Sequence, residues 1–257
     1  MIIATFNVNS IRARMEILAR WILDRKPDII CLQETKVTDA EFPAGEFAKL
    51  GYRCLFRGEK SYNGVAIACR LEPDDVGYGF DGSGEDEGTR LISIRLADMH
   101  VVNTYVPQGT SPDSDRFHYK LAFFKRMRAY FEDRFRPDDR IIWAGDFNVA
   151  PEPIDVHDPK RLLGHVGYHP EEHRALARVK AWGFTDIFRL HRPEAGQYTF
   201  WDYRVRDAVP RGLGWRVDHI WGTEPMAKLS TEAWIDKDVR LWERPSDHAP
   251  MAAVFSV

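Results

Sequence analysis

Residues 2–33 read IIATFNVNSIRARMEILARWILDRKPDIICLQ, and this stretch predicts how the chain begins to fold. The runs 2–6 and 28–32 are short and apolar, as is typical of buried strands. Between them, apolar residues recur at helical spacing: Ile11, Met15, Leu18 and Ile22. Ser10 is a candidate N-cap for this helix, and Pro27 is a stop signal after it. The stretch therefore predicts a strand–helix–strand unit.

The rest of the chain carries further apolar, β-branched runs typical of strands, at 64–69, 90–96, 100–106, 140–144 and 249–255. The second and third runs are separated by so few residues that we expect a hairpin. A second long helix, capped by Ser114, is predicted from one apolar face: Phe117, Leu121, Phe124, Phe131 and Phe135. A further helix is expected over 171–182. Because hairpins and helical crossovers both occur, we expect two packed mixed β-sheets with helices outside, in one domain spanning residues 1–257.

Composition limits the class of protein. The 257 residues carry a net charge of −3, so overall charge does not attract the chain to nucleic acid. With 44% hydrophobic and 29% charged residues, the chain is typical of a globular protein and unlike disordered, collagen or coiled-coil sequences. No apolar run approaches the roughly 20 residues of a membrane helix, and no secretory signal is recognised at the start. We expect a cytoplasmic protein without membrane contact, because its odd set of cysteines fits reduced thiols: Cys31, Cys54 and Cys69.

Almost every predicted strand ends in a short polar cluster. The clusters contain Asn7 and Asn9, Glu34 and Lys36, Tyr105 and Gln108, Asp146 and Asn148, Asp218, and residues 246–248 (SDH). A single cluster is explained by a turn, because Asn and Asp accept local backbone hydrogen bonds there. If all six meet at one rim of a sheet, four carboxylates come together and repel one another unless a cation or a histidine neutralises them. Oxygen ligands with a single histidine suit Mg²⁺ or Mn²⁺, and hence metal-assisted phosphoester hydrolysis.

Two segments differ from the average composition. Residues 71–88 contain seven acids and no base, interleaved with glycines, and are interpreted as a solvated loop. Residues 189–217 contain six arginines and three acids, together with Phe200, Trp201, Tyr203 and Trp215. A basic, aromatic-rich segment can contact phosphates and stack on bases, whereas an ordinary surface loop explains the same composition. Composition leaves both interpretations open.

Seven short strings occur in order between residues 5 and 250: TFNVNSIRAR, CLQETK, NTYVPQG, GDFNVAP, YTFWDYR, GWRVDHIW and SDHAP. Together they resemble the exonuclease III family of abasic-site (AP) endonucleases. GDFN and SDH alone are shared with the wider endonuclease/exonuclease/phosphatase superfamily, whereas CLQETK, NTYVPQG and YTFWDYR indicate the AP endonuclease branch. The resemblance implies an α/β fold, a four-layered α/β-sandwich with the active site at one end of two packed sheets.

The resemblance also implies a metal site and a water-activating group. Glu34 would be the central ligand of Mg²⁺, with Mn²⁺ as a substitute, and Asn7 and Asp247 would lie beside it; a hard cation prefers such oxygens. Asp146 would orient or deprotonate the attacking water, and Asn148 would hold that water or the phosphate. Because a free carboxylate is a weak base, burial among other acids is expected to raise the pKa of Asp146.

Four further polar side chains complete the implied active site. His248, steadied by Asp218, would as imidazolium offset the charge that builds in the transition state. Alternatively, the His248–Asp218 pair is itself the base, and the sequence does not decide between this pair and Asp146. Tyr105 would direct its phenol at the scissile phosphate. Lys36 is expected to orient a neighbouring carboxylate rather than act as a nucleophile.

Recognition of an abasic site needs a different feature. An abasic deoxyribose has no base, so a small apolar pocket can accept it and exclude a normal nucleotide by size. The positions that form this pocket in the family correspond here to Phe200, Trp215 and Val217, with Trp201 adjacent. Val217 is smaller than the leucine often found there, which departs from the family pattern. Gln108 and Arg216 are expected to bind flanking phosphates, so that affinity falls with salt.

Three hypotheses for function follow. The leading one is a Mg²⁺-dependent AP endonuclease that hydrolyses DNA 5′ to an abasic site and leaves a 3′ hydroxyl, with 3′→5′ exonuclease and 3′-end-trimming activity. Its expected partner is double-stranded DNA with abasic sites or blocked 3′ ends, and the family suggests a monomer. The second keeps the fold but takes a small phosphoester or phospholipid, against which the late WDYR and GWRVDH strings speak. The third is a DNA-binding protein without catalysis, which would lack a metal-binding or water-orienting residue; none is missing here.

Overall fold

The opening stretch folds as its pattern predicts. The structure, a computed structural model, describes residues 1–80 and 88–257. Strand β1 (Ile2–Asn7), helix α1 (Ile11–Arg25) and strand β2 (Ile29–Gln33) form a parallel strand–helix–strand unit. Ser10 occupies the N-cap position, but within the described residues its side chain makes no capping bond. Its backbone N–H donates instead to the carbonyl of Glu34 (2.8 Å), which ties the start of α1 to the end of β2.

The first sheet has six strands in the order β11-β12-β1-β2-β4-β3. Its other strands are β3 (Arg53–Arg57), β4 (Val65–Cys69), β11 (Ser230–Ile235) and β12 (Met251–Phe255). Only the β1–β2 pair within it is parallel. The sheet is therefore mixed, with the parallel pair at its centre.

The second sheet repeats this plan, in the order β5-β6-β7-β8-β10-β9. Its strands are β5 (Asp75–Tyr78), β6 (Leu91–Leu96), β7 (Met99–Tyr105), β8 (Arg140–Asp146), β9 (Phe184–Asp186) and β10 (Asp218–Thr223). β6 and β7 form the predicted hairpin, and β7 and β8 form the central parallel pair. The crossover between β7 and β8 is α3 (Asp115–Arg134), capped as predicted by the Ser114 hydroxyl, which accepts from Phe117 N–H (3.2 Å).

Helices α1 and α2 (Ala44–Lys49) cover the outer face of the first sheet, and α3 and α5 (Pro170–Lys180) cover that of the second. The shorter helices α6 (Ile187–His191) and α7 (Glu224–Leu229) pack against the core between the sheets, and α4 (Pro159–Leu162) packs against a separate small cluster. One apolar core lies between the sheets, a second lies under α1 and α2, and a third lies under α3 and α5. These three cores make four layers, which confirms the predicted α/β-sandwich. None of the helices described in residues 1–80 and 88–257 is both long and apolar enough to cross a bilayer.

The structure changes two details of the prediction. Residues 75–78 form an edge strand, so the solvated-loop interpretation of 71–88 is wrong for that part, and the acids at 81, 85, 86 and 87 lie outside the described residues. A strand was expected to end at Asp218, but β10 begins there. Because β10 runs antiparallel to β8, its first residue still lies opposite Asp146, the last residue of β8. The side chain therefore reaches the predicted rim from the other direction.

Candidate active site

The central strands of both sheets place polar residues at the same end of the sandwich. Asn7 is the last residue of β1, and Glu34 follows β2, its parallel neighbour. Tyr105 and Asp146 are the last residues of β7 and β8 and lie opposite each other in the parallel register. Asp218 completes the row from the start of β10. Parallel strands end at the same edge of a sheet, so two parallel pairs bring these residues together.

Glu34, Asp146 and His248 form a compact group. Each offers one ligand atom, and these atoms all lie within 4.8 Å of one another. The Asn7 amide bridges the two carboxylates, donating to Glu34 Oε1 (2.8 Å) and to Asp146 Oδ2 (2.9 Å). The structure therefore brings together residues 7, 34, 146 and 248, which are far apart in the sequence.

Glu34 sits on a strained turn beside a cation. Its φ of 53° is in the left-handed region, which a non-glycine residue adopts only when its surroundings hold it there. The Lys36 ammonium lies 2.7 Å from Glu34 Oε2 and also donates to Asn9 Oδ1 (2.6 Å). Burial acts to raise the pKa of Glu34, but the Lys36 ammonium and the Asn7 amide outweigh it, and the pKa is lowered. Glu34 is thus held as a carboxylate.

Asp146, Asp218 and His248 form a buried row of charges. His248 Nδ1 lies 2.7 Å from Asp218 Oδ2, and Nε2 lies 3.9 Å from Asp146 Oδ2. Burial, reinforced by the Asp218 carboxylate, raises the pKa of Asp146 to about 7. Burial acts to lower the pKa of His248, but the Asp218 and Asp146 carboxylates outweigh it and raise the value to about 10. The row therefore combines an imidazolium with a carboxylate that titrates near neutrality.

Asn148 and Tyr105 border Asp146. Asn148 has a φ of 53°, and its backbone N–H donates to Asp146 Oδ1 (2.9 Å). Its side-chain amide donates to Asp146 Oδ2 (3.1 Å) and to the Val106 carbonyl (3.0 Å). Burial, followed by the carboxylates of Glu34 and Asp146, raises the pKa of Tyr105 well above its ordinary value, so the phenol is a donor.

The donor set fits a hard divalent cation. Two carboxylates converge at the mouth of the sandwich, where their mutual repulsion favours a positive ion. Asn7 presents its amide nitrogen to both carboxylates, and its Oδ1 accepts from Asn9 N–H (3.0 Å). Asp247 accepts from the Asn9 side chain through Oδ1 (2.9 Å) and is not one of the three residues of the compact group. The assignment of Asn7 and Asp247 as ligands therefore stays a prediction.

The aromatic residues expected to form the sugar pocket divide into two sets. Phe200 lies beside the site, with its ring centroid 5.0 Å from that of His248, and pairs through its backbone with Trp215 (2.8 and 2.9 Å). Both are partly exposed, so contact between them and a substrate stays a prediction. Trp201 is 1% exposed and packs in a small apolar core, so its predicted role beside the substrate is wrong. Val217 is also buried, and its N–H donates to the Thr199 hydroxyl, which makes it part of the supporting layer.

Arg216 does not bind phosphate, contrary to the prediction. Its side chain is fully buried among β9, β10 and the loop at 153–155. The guanidinium donates to Asp155 (2.7 and 3.1 Å) and Asp186 (2.8 Å) and contacts His219 Nδ1 (3.0 Å). A guanidinium with two buried carboxylate partners is not available to a ligand. Gln108, in contrast, is exposed, and its predicted phosphate contact stays a prediction.

The same cluster fixes the protonation of His219. Arg216 donates to His219 Nδ1, so the ring proton is on Nε2, which faces the Val149 carbonyl (2.8 Å). Burial, followed by the Arg216 guanidinium, lowers the pKa of His219 to about 3. The unfolded chain therefore takes up a proton at this histidine below its ordinary pKa of about 6.5, while the folded chain stays neutral. This difference destabilises the folded state as the pH falls through the window from about 6.5 to 3.

A pH-dependent loss of stability at His219 is the expected outcome. Between pH 7 and pH 5, wild type should lose about 2 kcal/mol more unfolding free energy than His219→Gln, since each pKa unit is worth about 1.4 kcal/mol. The raised pKa values of Asp146 and His248 act in the opposite direction, because they increase the unfolding free energy as the pH falls. The quantity to measure is therefore the difference between the two proteins. Urea unfolding of both at the two pH values provides it. Equal losses in the two proteins would show that His219 already binds a proton when folded.

Some buried polar residues near the site were not predicted from the sequence. Gln33 and Asn103 meet between the sheets (2.7 Å), directly below Glu34 and Tyr105, and bond to backbone carbonyls of the first sheet. Lys120, which is fully buried on α3, was also not predicted. One signal could have found it: a lysine three residues after Phe117, on the apolar face of the predicted helix. Leu121, which was assigned to that face, is partly exposed.

The fold and the site together define a class of hydrolase. Two packed mixed sheets that end in convergent carboxylates, an amide and a buried Asp–His pair are suited to a metal-dependent phosphoesterase. Residues 4–248 match the profile of the Endonuclease/Exonuclease/phosphatase family, and the chain belongs to that family.

Relatives that align over nearly the whole chain indicate a narrower group within this family. Exodeoxyribonuclease III of Haemophilus influenzae is 34% identical over 263 residues, covering 98% of this chain and 98% of the relative. An AP endonuclease from Archaeoglobus fulgidus superposes with a TM-score of 0.97 at 47% identity, and a 3′ phosphatase from Neisseria, bound to a product DNA hairpin, with 0.95 at 35%. In each comparison, the aligned region covers 100% of this chain and 100% of the relative's chain. The prediction of a nuclease enzyme of the exodeoxyribonuclease III type is confirmed.

Proposed function

We propose that this chain is a Mg²⁺-dependent AP endonuclease that hydrolyses the phosphodiester 5′ to an abasic site and leaves a 3′ hydroxyl. The observation that carries the proposal is the group formed by Glu34, Asp146 and His248 within 4.8 Å, at the end of both parallel strand pairs. The Archaeoglobus relative is an AP endonuclease, and the Neisseria relative is a 3′ phosphatase with a DNA product. We therefore include 3′→5′ exonuclease and 3′-end-trimming activity on duplex DNA.

The metal would be held by Glu34, with Asn7 and Asp247 beside it. When bound, Mg²⁺ supplies charge stabilisation at the phosphoryl and leaving 3′ oxygens, and Mn²⁺ is a chemically similar substitute. Lys36 and the Asn7 amide keep Glu34 ionised and in one orientation. These two contacts prepare the carboxylate for a cation without a change in its protonation.

The attacking water is assigned to Asp146. Its Oδ2 accepts from Asn7 and Asn148, and its Oδ1 from the Asn148 backbone, so the carboxylate is fixed by three donors. A carboxylate fixed in this way can accept a proton from a water placed between it and the phosphate. Asn148 would hold that water or a phosphate oxygen. In the reaction the water oxygen would bond to phosphorus, its proton would move to Asp146, and the phosphorus–3′ oxygen bond would break. The leaving 3′ oxygen would take a proton from solvent to become the 3′ hydroxyl.

His248 and Tyr105 act as donors to the phosphate in this proposal. Both ring nitrogens of His248 face carboxylates, one of Asp218 at 2.7 Å and one of Asp146 at 3.9 Å, so both carry protons. A doubly protonated ring stabilises negative charge and does not accept a proton, which favours Asp146 over the His248–Asp218 pair as the base. The Tyr105 phenol, which is kept neutral, adds a further hydrogen bond.

Selection of the abasic sugar is assigned to Phe200 and Trp215. Phe200 borders the site on the side of His248, Trp215 pairs with its backbone, and both offer partly exposed aromatic surface. The same segment carries Arg204, Arg206 and Arg211, which are exposed, and we assign them to the DNA backbone. Arg204 and Arg206 contact Asp202 and Asp207 at the surface, where water screens the pairs and leaves the guanidinium groups accessible. We also propose that the protein acts as a monomeric single domain of residues 1–257 in the cytoplasm. Its affinity for DNA should fall with salt, since phosphate contacts release counterions.

Cleavage of a duplex with one tetrahydrofuran residue is the test of this function. With Mg²⁺ we expect incision 5′ to the lesion, and with EDTA we expect none. A matched duplex with an intact nucleotide at that position should be cut at least about 100-fold more slowly, because a base does not fit the pocket. Equal cleavage of the two duplexes would refute the lesion preference. A duplex with a 3′-phosphate at a nick measures 3′-end trimming, and phosphate release from small esters without DNA would favour the small-substrate hypothesis.

A further inference from the structure

Lys120 is a buried cation within an otherwise apolar helix face. It lies on α3 between Phe117 and Phe124, and all three side chains are fully buried. Its ammonium reaches out of the helix to the carbonyl of Asn148 (2.7 Å), to the carbonyl of Gln108 (3.1 Å) and to the carboxylate of Glu172. An ammonium has three protons, and these three acceptors use all of them.

Glu172 extends this network to a third loop. It lies in the first turn of α5 and is fully buried. While one carboxylate oxygen binds Lys120, Oε2 accepts from the backbone N–H groups of Gly167 (2.7 Å) and His169 (3.1 Å). The Gly167 carbonyl in turn accepts from Ala150 N–H (2.8 Å). The pair therefore joins the loops at 106–109, 147–150 and 164–169.

The energetics of such a pair favour a role in geometry over one in stability. Removing both charges from water costs about as much as their attraction returns, and apolar residues of the same volume often stabilise a core equally well. The other buried positions of α3 carry apolar or aromatic residues, so an apolar side chain at position 120 would suit this core. Lys120 and Glu172 instead bond to each other, and their other hydrogen bonds are to four backbone groups in the three loops. A fully satisfied polar network specifies one arrangement of the loops that it touches.

One of those loops holds Asn148 in a strained conformation. At a φ of 53°, the residue is in the left-handed region, and Lys120 binds its carbonyl at 2.7 Å. This orientation of the backbone directs the Asn148 amide to Asp146 Oδ2 (3.1 Å). Without the ammonium, the buried carbonyl would lose its partner, and the backbone could relax to a right-handed conformation. The amide would then turn away from Asp146.

We propose that the Lys120–Glu172 pair is a positioning device for the reaction, which fixes the backbones of Asn148 and Gln108 relative to Asp146. The proposal rests on the nuclease function proposed above. Lys120 does not touch the reacting atoms in this scheme; it acts through Asn148. The fixed element is the turn at 147–150, and the loop at 164–169 is its support.

The test is the double variant Lys120→Met/Glu172→Gln, assayed on the tetrahydrofuran duplex. Replacing both residues avoids an uncompensated buried charge, and the amide of the new glutamine retains an oxygen for the two backbone N–H groups. We expect kcat to fall by about 10- to 100-fold, as for other residues that orient a reacting group, with KM within about 3-fold. In an Asn148→Ala background, the same two substitutions should lower kcat by less than about 3-fold, because the residue they position is gone.

Arg128→Met is the matched control. Arg128 also joins α3 to α5, donating to the carbonyl of Arg178 (2.7 Å), but it reaches none of the three loops. It should leave kcat unchanged, so loosening the two helices is separated from releasing Asn148. A folded double variant with wild-type kcat overturns the proposal, as does an equal fall of kcat in the Asn148→Ala background. If this double variant does not fold, Lys120→Leu/Glu172→Gln, which also leaves no buried charge, is assayed, and unchanged kcat there also overturns the proposal. Failure of wild type to cut the lesion would refute the nuclease function itself.

Discussion

Replacing Asp146 with Asn should lower kcat on abasic duplex DNA by about 10³-fold, within the range of a lost general base. The substitution keeps volume but exchanges one oxygen for an amide nitrogen. Three N–H groups point at the two oxygens of Asp146, from the Asn7 side chain and from the side chain and backbone of Asn148. An amide nitrogen cannot accept from any of them, and the variant has no carboxylate to take the proton from water.

DNA binding separates this effect from a loss of structure. The Asp146→Asn protein should bind the tetrahydrofuran duplex in EDTA at least as tightly as wild type, since a negative charge is removed from the site that receives a phosphate. Asp98→Asn is the matched control, because Asp98 is exposed and pairs with Arg140 at the other end of the second sheet. Its kcat should equal that of wild type. A kcat within about 10-fold of wild type for Asp146→Asn would exclude Asp146 as the base and leave the His248–Asp218 pair.

The strands that the sequence predicted are those in the middle of the sheets. Strands β1, β2, β4 and β8 are almost entirely buried and consist largely of apolar residues. Strand β7 is also mostly buried, and was recognised although it includes His100, Asn103 and Thr104. Besides β10, which begins at Asp218 where a strand was expected to end, the strands that were not predicted are β3, β5, β9 and β11, the outer strands of the two sheets. Except for the three-residue β9, they are mostly exposed or half-buried. An outer strand is recognised from its pairing partner more than from its own apolar pattern, and pairing is not visible in the sequence.

The site was predicted because strand ends carry direct information about position. Asn7, Glu34 and Asp146 each end or follow a strand of a parallel pair, so the topology alone brings them to one edge. The prediction for Arg216 was wrong because a sequence shows a charge but not its partner. Two carboxylates that neutralise it lie about 30 and 60 positions away, and only the fold brings them there. Trp201 was misassigned because a sequence shows an aromatic residue but not that its side chain packs in a small apolar core.

Replacing Glu34 with Ala should lower kcat by about 10³-fold or more, because it removes the central ligand proposed for the metal. The change also leaves the Lys36 ammonium without the carboxylate that it contacts at 2.7 Å, and leaves one Asn7 proton unpaired. The Lys36 ammonium cannot replace the metal, because it has no free orbital for a phosphate oxygen and is free to turn toward Asn9, which it already contacts.

Two measurements distinguish a lost metal ligand from a lost fold. A Mg²⁺ titration of residual cleavage should show half-saturation raised by at least about 10-fold, as expected when the ligand set is reduced. Binding of the abasic duplex in EDTA should be retained or strengthened, because a negative charge is removed from the site that receives the phosphate. Glu46→Ala, at an exposed position on α2, should change neither quantity. Wild-type half-saturation in the Glu34→Ala protein would contradict the assignment of Glu34 as the central ligand of the metal.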